Sequence, residues 1–295
     1  MAPIGVDELS PFPNAQDRHD VYPFIDPATH FTAQTFRDQV VIVTGASRGI
    51  GLTTALFYAR AGAHLVLTSR HLSTLETSKT AVLAAVPGAH VLLGPGDVAD
   101  PAAAAAVVQS AVAAFGKVDI LVANAGMLSP IGKQTHEQDL LQYWQVQEVN
   151  VRGVLNFIHA ALPELLKTKG QIVITASAIA HLRIVPAAAY CLSKHTVNRL
   201  AEFLSLEYPD IKTYPVHPGV VDTQIARDAG GLLTPIDAPE LAAATSLWLT
   251  ARNAEWLSGR FFSATWDLEE VVKHKDEIVR DNLLVTKLAG PKASK

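Results

Sequence analysis

The stretch VVIVTGASRGIG, residues 40–51, constrains the fold of this chain more than any other segment. VVIV is an apolar run without alternation, which suits a strand covered on both faces. Glycines at 45, 49 and 51 then allow a tight turn, and TTALFYARAGA (53–63) continues with helical spacing. A strand that passes through a glycine turn into a helix offers first-turn N–H groups to an anion, so the backbone can approach a pyrophosphate. The spacing is G-x-x-x-G-x-G rather than G-x-G-x-x-G, and a glycine trio alone also serves as a plain strand-to-helix turn.

The same alternation runs on through the chain. HLVLTS (64–69), HVLLG (90–94), DILVAN (119–124), QIVITA (171–176), IKTYPV (211–216) and RFFSA (260–264) read as six further strands, with helical stretches between them, including the alanine run at 102–106. Buried strands separated by helices predict an α/β fold: a parallel sheet of seven strands with helices on both faces, forming a single domain over residues 39–265. Its crossovers should be right-handed and its ligands should bind at the carboxyl ends of the strands.

Two segments lie outside that pattern. Residues 1–38 hold Pro3, Pro11, Pro13, Pro23 and Pro27 among the aromatics Phe12, Tyr22, Phe24 and Phe31. Prolines this frequent oppose helix and sheet and predict an extended arm. It either lies against its own domain or a second subunit, or is a disordered leader. Residues 266–295 read as a charged helical tail that either covers the pocket or wraps a neighbour.

Composition excludes several classes. The 295 residues are 49% hydrophobic and 18% charged with a net charge of -4, enough for one large core and without the basic footprint of nucleic-acid binding. Cys191 is the only cysteine, which rules out an internal disulfide and a multi-cysteine zinc site. No apolar run approaches the ~20 residues of a membrane span. The first residues lack a basic-then-apolar pattern, so the expected location is cytoplasmic.

AAAYCLSKHTV (187–197) places Tyr190 and Lys194 one helical turn apart, so that their side chains can converge. Together with T-G-x-x-x-G-I-G, N-A-G at 124–126, Asn150, Ser177 and HPGVVDT (217–223), in that order, this resembles the classical short-chain dehydrogenases/reductases. Ser177 precedes Tyr190 by 13 residues, as is usual there. The resemblance covers about residues 38–265 and implies a Rossmann-type, doubly wound seven-stranded parallel sheet, a nicotinamide cofactor and carbonyl/alcohol redox chemistry.

It also implies roles. Tyr190 would be the general acid in reduction and the base in oxidation. Lys194 would hold the nicotinamide ribose and lower the phenol's pKa: at roughly 5 Å and a dielectric of about 20, the attraction is ~3 kcal/mol, or about 2 pKa units. Ser177 would bond the substrate oxygen. Asn150, in the helix after the fourth strand, would hold a water that links Lys194 to solvent. Gly45, Ser47, Arg48, Gly49, Ile50 and Gly51 would cradle the dinucleotide, with Pro218, Gly219, Val221 and Thr223 at the nicotinamide. Asp97 would contact adenine and Val98 pack on its ring, although Asp97 also reads as a loop or helix cap. Asn124, Ala125 and Gly126 would form a cofactor wall, with Asn124 as a strand-end brace. No metal is required.

No acid follows the second strand to bind a ribose diol; Ser69 and Arg70 stand there instead, with Arg48 in the glycine turn. Two guanidiniums suit a 2′-phosphate and favour NADP(H) over NAD(H), the alternative for each arginine being a surface position. Cys191 reads as packing, and His181, His195 and His217 as structural rather than proton carriers.

DTQIARDAGGLLTP (222–235) reads as a lid with hinges at Gly230 and Gly231. Leu182, Ile184, Val185, Leu232 and Leu233 suggest either an apolar substrate or ordinary packing. The expected partner is a small carbonyl or alcohol (ketone, aldehyde or quinone-like) without nucleic acid or membrane, and the expected assembly a homodimer through the helices that hold Asn150 and Tyr190, with a tetramer as the alternative. The competing functions are a non-redox catalyst on the same fold and a non-enzymatic NADP(H) sensor.

Overall fold

The computed structural model describes residues 11–12, 17–129, 131–185, 187–231 and 234–288. Pro3, Pro13, Leu232, Leu233 and residues 289–295 lie outside these.

Seven parallel strands form one sheet: β1 (Val40–Thr44), β2 (His64–Ser69), β3 (Val91–Pro95), β4 (Ile120–Ala123), β5 (Gln171–Thr175), β6 (Lys212–His217) and β7 (Phe262–Ser263), in the spatial order β3-β2-β1-β4-β5-β6-β7. The order reverses between β1 and β4, which opens a crevice at their carboxyl ends. Successive side chains enter opposite layers of core. Val41, Val43, Leu65, Leu67, Ile120 and Val122 join one; Val40, Ile42, Val66 and Leu121 join the other. That two-sided burial is why β1 carries no polar alternation.

Helices α1 (Ala28–Ala33), α2 (Gly49–Arg60), α3 (Leu72–Ala85), α4 (Pro101–Phe115), α5 (Leu140–Gln147), α6 (Gly153–Thr168), α7 (Ala188–Glu207), α8 (Gln224–Asp228), α9 (Pro239–Trp248), α10 (Leu268–Lys273) and α11 (Lys275–Arg280) complete the chain. The first core layer includes residues of α2, α3 and α9, and the second residues of α4, α6 and α7. Among the described residues no helix is long and apolar enough to cross a membrane.

The arm is not simply extended. A 3₁₀ turn spans Pro23–Ile25 and α1 follows Pro27. Pro23 opens the 3₁₀ turn and Pro27 is the N-cap of α1, positions where the missing N–H would lack an intrahelical partner anyway. Three of the arm's aromatics face inward: Phe12, Tyr22 and Phe36 are buried in the same core layer as β1 and β2, whereas Phe24 is exposed. The described tail does not line the crevice. Trp266, Leu268, Val271 and Ile278 sink into that same layer, and Phe12 stands edge-on to Trp266 at 5.3 Å. The Tyr22 hydroxyl accepts the Leu268 N–H at 2.8 Å, and Arg18 pairs with Asp267, so arm and tail clasp one another.

Candidate active site

The glycine turn after β1 is built for close approach. Gly45 and Gly49 hold φ of 67° and 53°, and a Cβ on Gly51 would lie 2.3 Å from the Gly45 carbonyl oxygen and 2.7 Å from Asn124 Nδ2. Arg48 precedes α2 without a side-chain cap, which leaves the first-turn N–H groups to a ligand. Thr44 Oγ1 accepts the backbone N–H groups of Asn124 and Ala125, each at 2.9 Å. Asn124 Nδ2 donates to Thr44 O at 3.0 Å and its Oδ1 accepts from Thr175 Oγ1 at 3.3 Å. The carboxyl ends of β1, β4 and β5 are thereby locked together.

Above them opens a cleft of about 600 Å³, in the range of small-molecule sites. Every residue singled out above as catalytic or cofactor-binding lines it, except Asn150. Ser69 is also engaged locally, 3.2 Å from Thr74 Oγ1. Arg48 and Arg70 are exposed and have neither a hydrogen-bond nor an ion-pair partner among the described residues. Asp97 accepts the Ala99 N–H at 2.9 Å, a loop brace, while Asp100 caps α4. A glycine-walled, uncapped helix start flanked by two free guanidiniums fits a phosphorylated dinucleotide.

Tyr190 and Lys194 project from α7 into this cleft, both buried, with Lys194 Nζ 5.6 Å from the Tyr190 ring centroid. The ammonium donates to Thr175 O at 2.6 Å, and burial lowers its pKa to about 8. Ser177 hydrogen-bonds the Tyr190 hydroxyl and accepts the Ile179 N–H at 3.3 Å, so it both faces the phenol and caps the following turn. The Coulomb argument predicts a depressed phenol pKa; the structure reverses its net sign. Burial pushes Tyr190 well above its usual value, and the Ser177 hydrogen bond opposes this only in part. Desolvation is the largest cause, because burial removes solvent from the whole phenolate, and Lys194 is not among the groups that shift it.

Asn150 sits behind the wall, in a π-helical turn (Glu148–Arg152) between α5 and α6 rather than in a regular helix. Its Nδ2 donates to Met127 O at 2.9 Å and Ser193 Oγ at 3.0 Å, and its Oδ1 accepts the Met127 N–H at 2.8 Å. Both amide protons are thus engaged by the protein. A Cβ on Gly126 would come 3.4 Å from Asn150 Oδ1 and 3.6 Å from Lys194 Nζ, ordinary contact distances, so Gly126 lies beside both groups without being required to lack a side chain.

His181 packs edge-on to Phe261 at 4.4 Å and pairs with Asn198, and His195 Nδ1 lies 3.1 Å from Ala180 O. His217 lines the cleft; burial drops its pKa to about 4, with Lys194 acting in the same sense and Asp237 against it. It is therefore a neutral ring near pH 7. Cys191 is buried outside the lining, and burial pushes its thiol up. Leu182 and Ile184 line the cleft, whereas Val185 is exposed away from it. Met127, Leu128 and Ile225 join the apolar wall, and Thr175 supplies the carbonyl that fixes Lys194. The sequence reading missed Met127, Leu128 and Thr175, and had Ile225 only as part of the lid segment. Thr175 alone had a signal, standing two places before Ser177.

A family model described as short chain dehydrogenase matches residues 39–230. The chain belongs to the short chain dehydrogenase family. Short chain dehydrogenase mpl6 of Monascus purpureus is 37% identical over 93% of this chain and 95% of its own length. Short chain dehydrogenase andI of Emericella variicolor is 34% identical over 96% and 98%. Among solved structures, levodione reductase superposes with a TM-score of 0.72 at 27% identity, covering 77% of this chain and 96% of its own. A short chain dehydrogenase of Shigella flexneri 2a, complexed with NADP, does so at 0.73 and 25%, covering 79% and 99%. The sheet order and the glycine turn are thus those of an oxidoreductase family that uses nicotinamide cofactors.

Proposed function

We propose that this short chain dehydrogenase is an NADP(H)-dependent oxidoreductase that interconverts a carbonyl and an alcohol. The observation that carries the reading is the convergence of the Tyr190 hydroxyl, Ser177 and the Lys194 ammonium on one wall of the glycine-floored cleft. A bound nicotinamide supplies or accepts the hydride. Tyr190, held protonated by burial, donates its proton to the oxygen that gains charge in reduction and takes one back in oxidation. Ser177 steadies that oxygen by hydrogen bonding. Lys194 holds the ribose hydroxyls and, as a cation below pH 8, favours the phenolate that donation leaves. Asn150 fixes the backbone at Met127 and the Ser193 hydroxyl beneath Lys194.

Two free guanidiniums at the adenosine end and no carboxylate after β2 support the 2′-phosphate. The NADP complex of the Shigella relative agrees. Leu182, Ile184, Met127, Leu128 and Ile225 give the substrate end an apolar wall and favour an apolar ketone, aldehyde or quinone-like carbonyl. The described segment 222–231, which includes α8, serves as its lid, with Gly230 and Gly231 at φ of 58° and 86°. One buried cysteine suits a reducing cytoplasm.

The direct assay follows reduced-nicotinamide absorbance with NADPH and NADH against a broad carbonyl panel. Carbonyl-dependent consumption of NADPH ahead of NADH is the expected result. Silence across the panel would count against the reductase reading. Arg70→Ala should weaken NADPH binding about tenfold and leave NADH within about twofold, because only the former loses a charge-assisted contact. Equal losses would remove Arg70 from phosphate recognition.

Leu141, Trp144, Leu155, Leu192, Phe203 and Leu206 expose apolar surface on α5, α6 and α7. A patch of this kind supports the homodimer through those helices. Sedimentation should report twice the chain mass, reduced by Leu141→Asp with Trp144→Ala. A monomer would refute this assembly.

A further inference from the structure

Asp237 stands where the chain re-enters the fold after the lid, two residues before α9. Its Oδ2 accepts the Val220 N–H at 2.5 Å, while the Asp237 and Ile236 N–H groups donate to Val220 O at 3.2 and 3.0 Å. The loop between Val221 and Ile236 is therefore closed at its neck by three hydrogen bonds to one residue. Gly219 makes this approach possible. It holds φ of 92°, and a Cβ there would fall 2.7 Å from Asp237 Oδ2.

The carboxylate is 2% exposed, and a buried charge requires a partner. That partner comes from the arm. His19 Nδ1 lies 2.6 Å from Asp237 Oδ1, and the Ala238 N–H donates to His19 O at 2.8 Å. The arm is held there by the Arg18 N–H, which donates to Thr265 O at 2.7 Å beyond β7, and by the pairing of Arg18 with Asp267. The arm thus spans from the end of β7 to the neck of the lid. On the other side of that neck, Pro218, Gly219, Val220, Val221 and Thr223 line the cleft.

We propose that Asp237 and His19 are positioning residues: the arm, through His19, holds the carboxylate that fixes the turn after β6 against the nicotinamide end of the cofactor. The inference rests on the assignment of the cleft to NADP(H). His19 touches neither cofactor nor substrate in this scheme; it acts through Asp237 and the Val220 backbone.

The test uses the full-length protein, with hydrogen exchange and NADPH affinity read in parallel. The His19 side chain is 49% exposed, so His19→Ala should fold, with a melting temperature close to that of the unaltered chain. Exchange over residues 219–223 should speed about tenfold while β1 and β4 stay protected, and the NADPH Kd should rise about fivefold. His19→Asn, whose Nδ2 can stand where Nδ1 stands, should restore both. Asp237→Asn, which keeps the shape and removes the charge, should act in the same direction as His19→Ala. Unchanged exchange, or faster exchange with unchanged NADPH affinity, would overturn the positioning role, as would failure of Asn to rescue. If the unaltered chain bound neither NADPH nor NADH while exchange responded as described, the cofactor reading would fall and the neck brace would stand.

Discussion

Tyr190→Phe should abolish reduction, lowering kcat by ~10³-fold or more, while the NADPH Kd stays within about twofold. The substitution deletes one oxygen from a buried ring and leaves the α7 packing in place. Ser177 keeps its bond from the Ile179 N–H, so the turn after β5 is not released. What disappears under the proposed function is the proton donor, and a positioned general acid is worth ~10²–10⁴ in rate. Loss of Ser177 alignment adds to this because the serine then has no phenol to face. Stopped-flow absorbance with saturating NADPH, alongside fluorescence titration of the nucleotide, separates the two effects. Turnover within tenfold of the unaltered chain would remove Tyr190 from the chemistry. A pH series sharpens the result. Lys194 carries its charge below about pH 8 and loses it above, so reduction by the unaltered chain should decline as pH rises through that value. The inactive phenylalanine variant should show no such profile.

Gly51→Ala should cost about 3 kcal/mol of stability and lower Tm by ~10 °C, with loss of nucleotide binding. The added methyl would meet the Gly45 carbonyl oxygen at 2.3 Å and Asn124 Nδ2 at 2.7 Å, and one of these is backbone that the turn needs where it is. Relief requires α2 to move away from the end of β1, which widens the very turn that presents N–H groups to phosphate. Two controls divide the cost. Gly88 has open space around the Cβ position and no positive φ, so Gly88→Ala should change stability by less than about 0.5 kcal/mol. Gly116 also has open space but φ of 82°, so Gly116→Ala reports backbone strain alone, about 1 kcal/mol. Calorimetry on the three variants would sink the steric account if Gly51→Ala behaved like Gly116→Ala.

The strands were legible because parallel strands covered on both faces must be apolar throughout, and β2 begins and ends at the residues expected. β7 contracts to Phe262–Ser263 because it pairs only at the sheet edge, with Val216 and His217 of β6. The helix in the arm was hidden by its prolines, which act as breakers inside a helix but as starters at its first turn. The π-helical turn at Asn150 leaves no periodic trace over five residues. The glycine turn and the Tyr190–Lys194 pair were readable because their chemistry lies within one or two turns of chain. His19 and Asp237 were not, since 218 residues separate them and neither belongs to a local pattern. The sign of the Tyr190 shift escaped for another reason: attraction between two named charges can be written down from spacing, whereas burial depends on the whole surrounding core.

The clasp between arm and tail bears on when the cleft is finished during synthesis. Arg18 and Asp267, like Phe12 and Trp266, lie at opposite ends of the described chain. A ribosome exposes the first of each pair long before the second. The sheet from β1 to β6 has all its strands while Trp266 is still unmade, yet the arm then has no tail to grip. Chains stalled before Trp266 would accordingly present the nucleotide cradle beside an unsecured neck and an unfinished core layer, and the later-made segment acts as the latch on the earlier-made one.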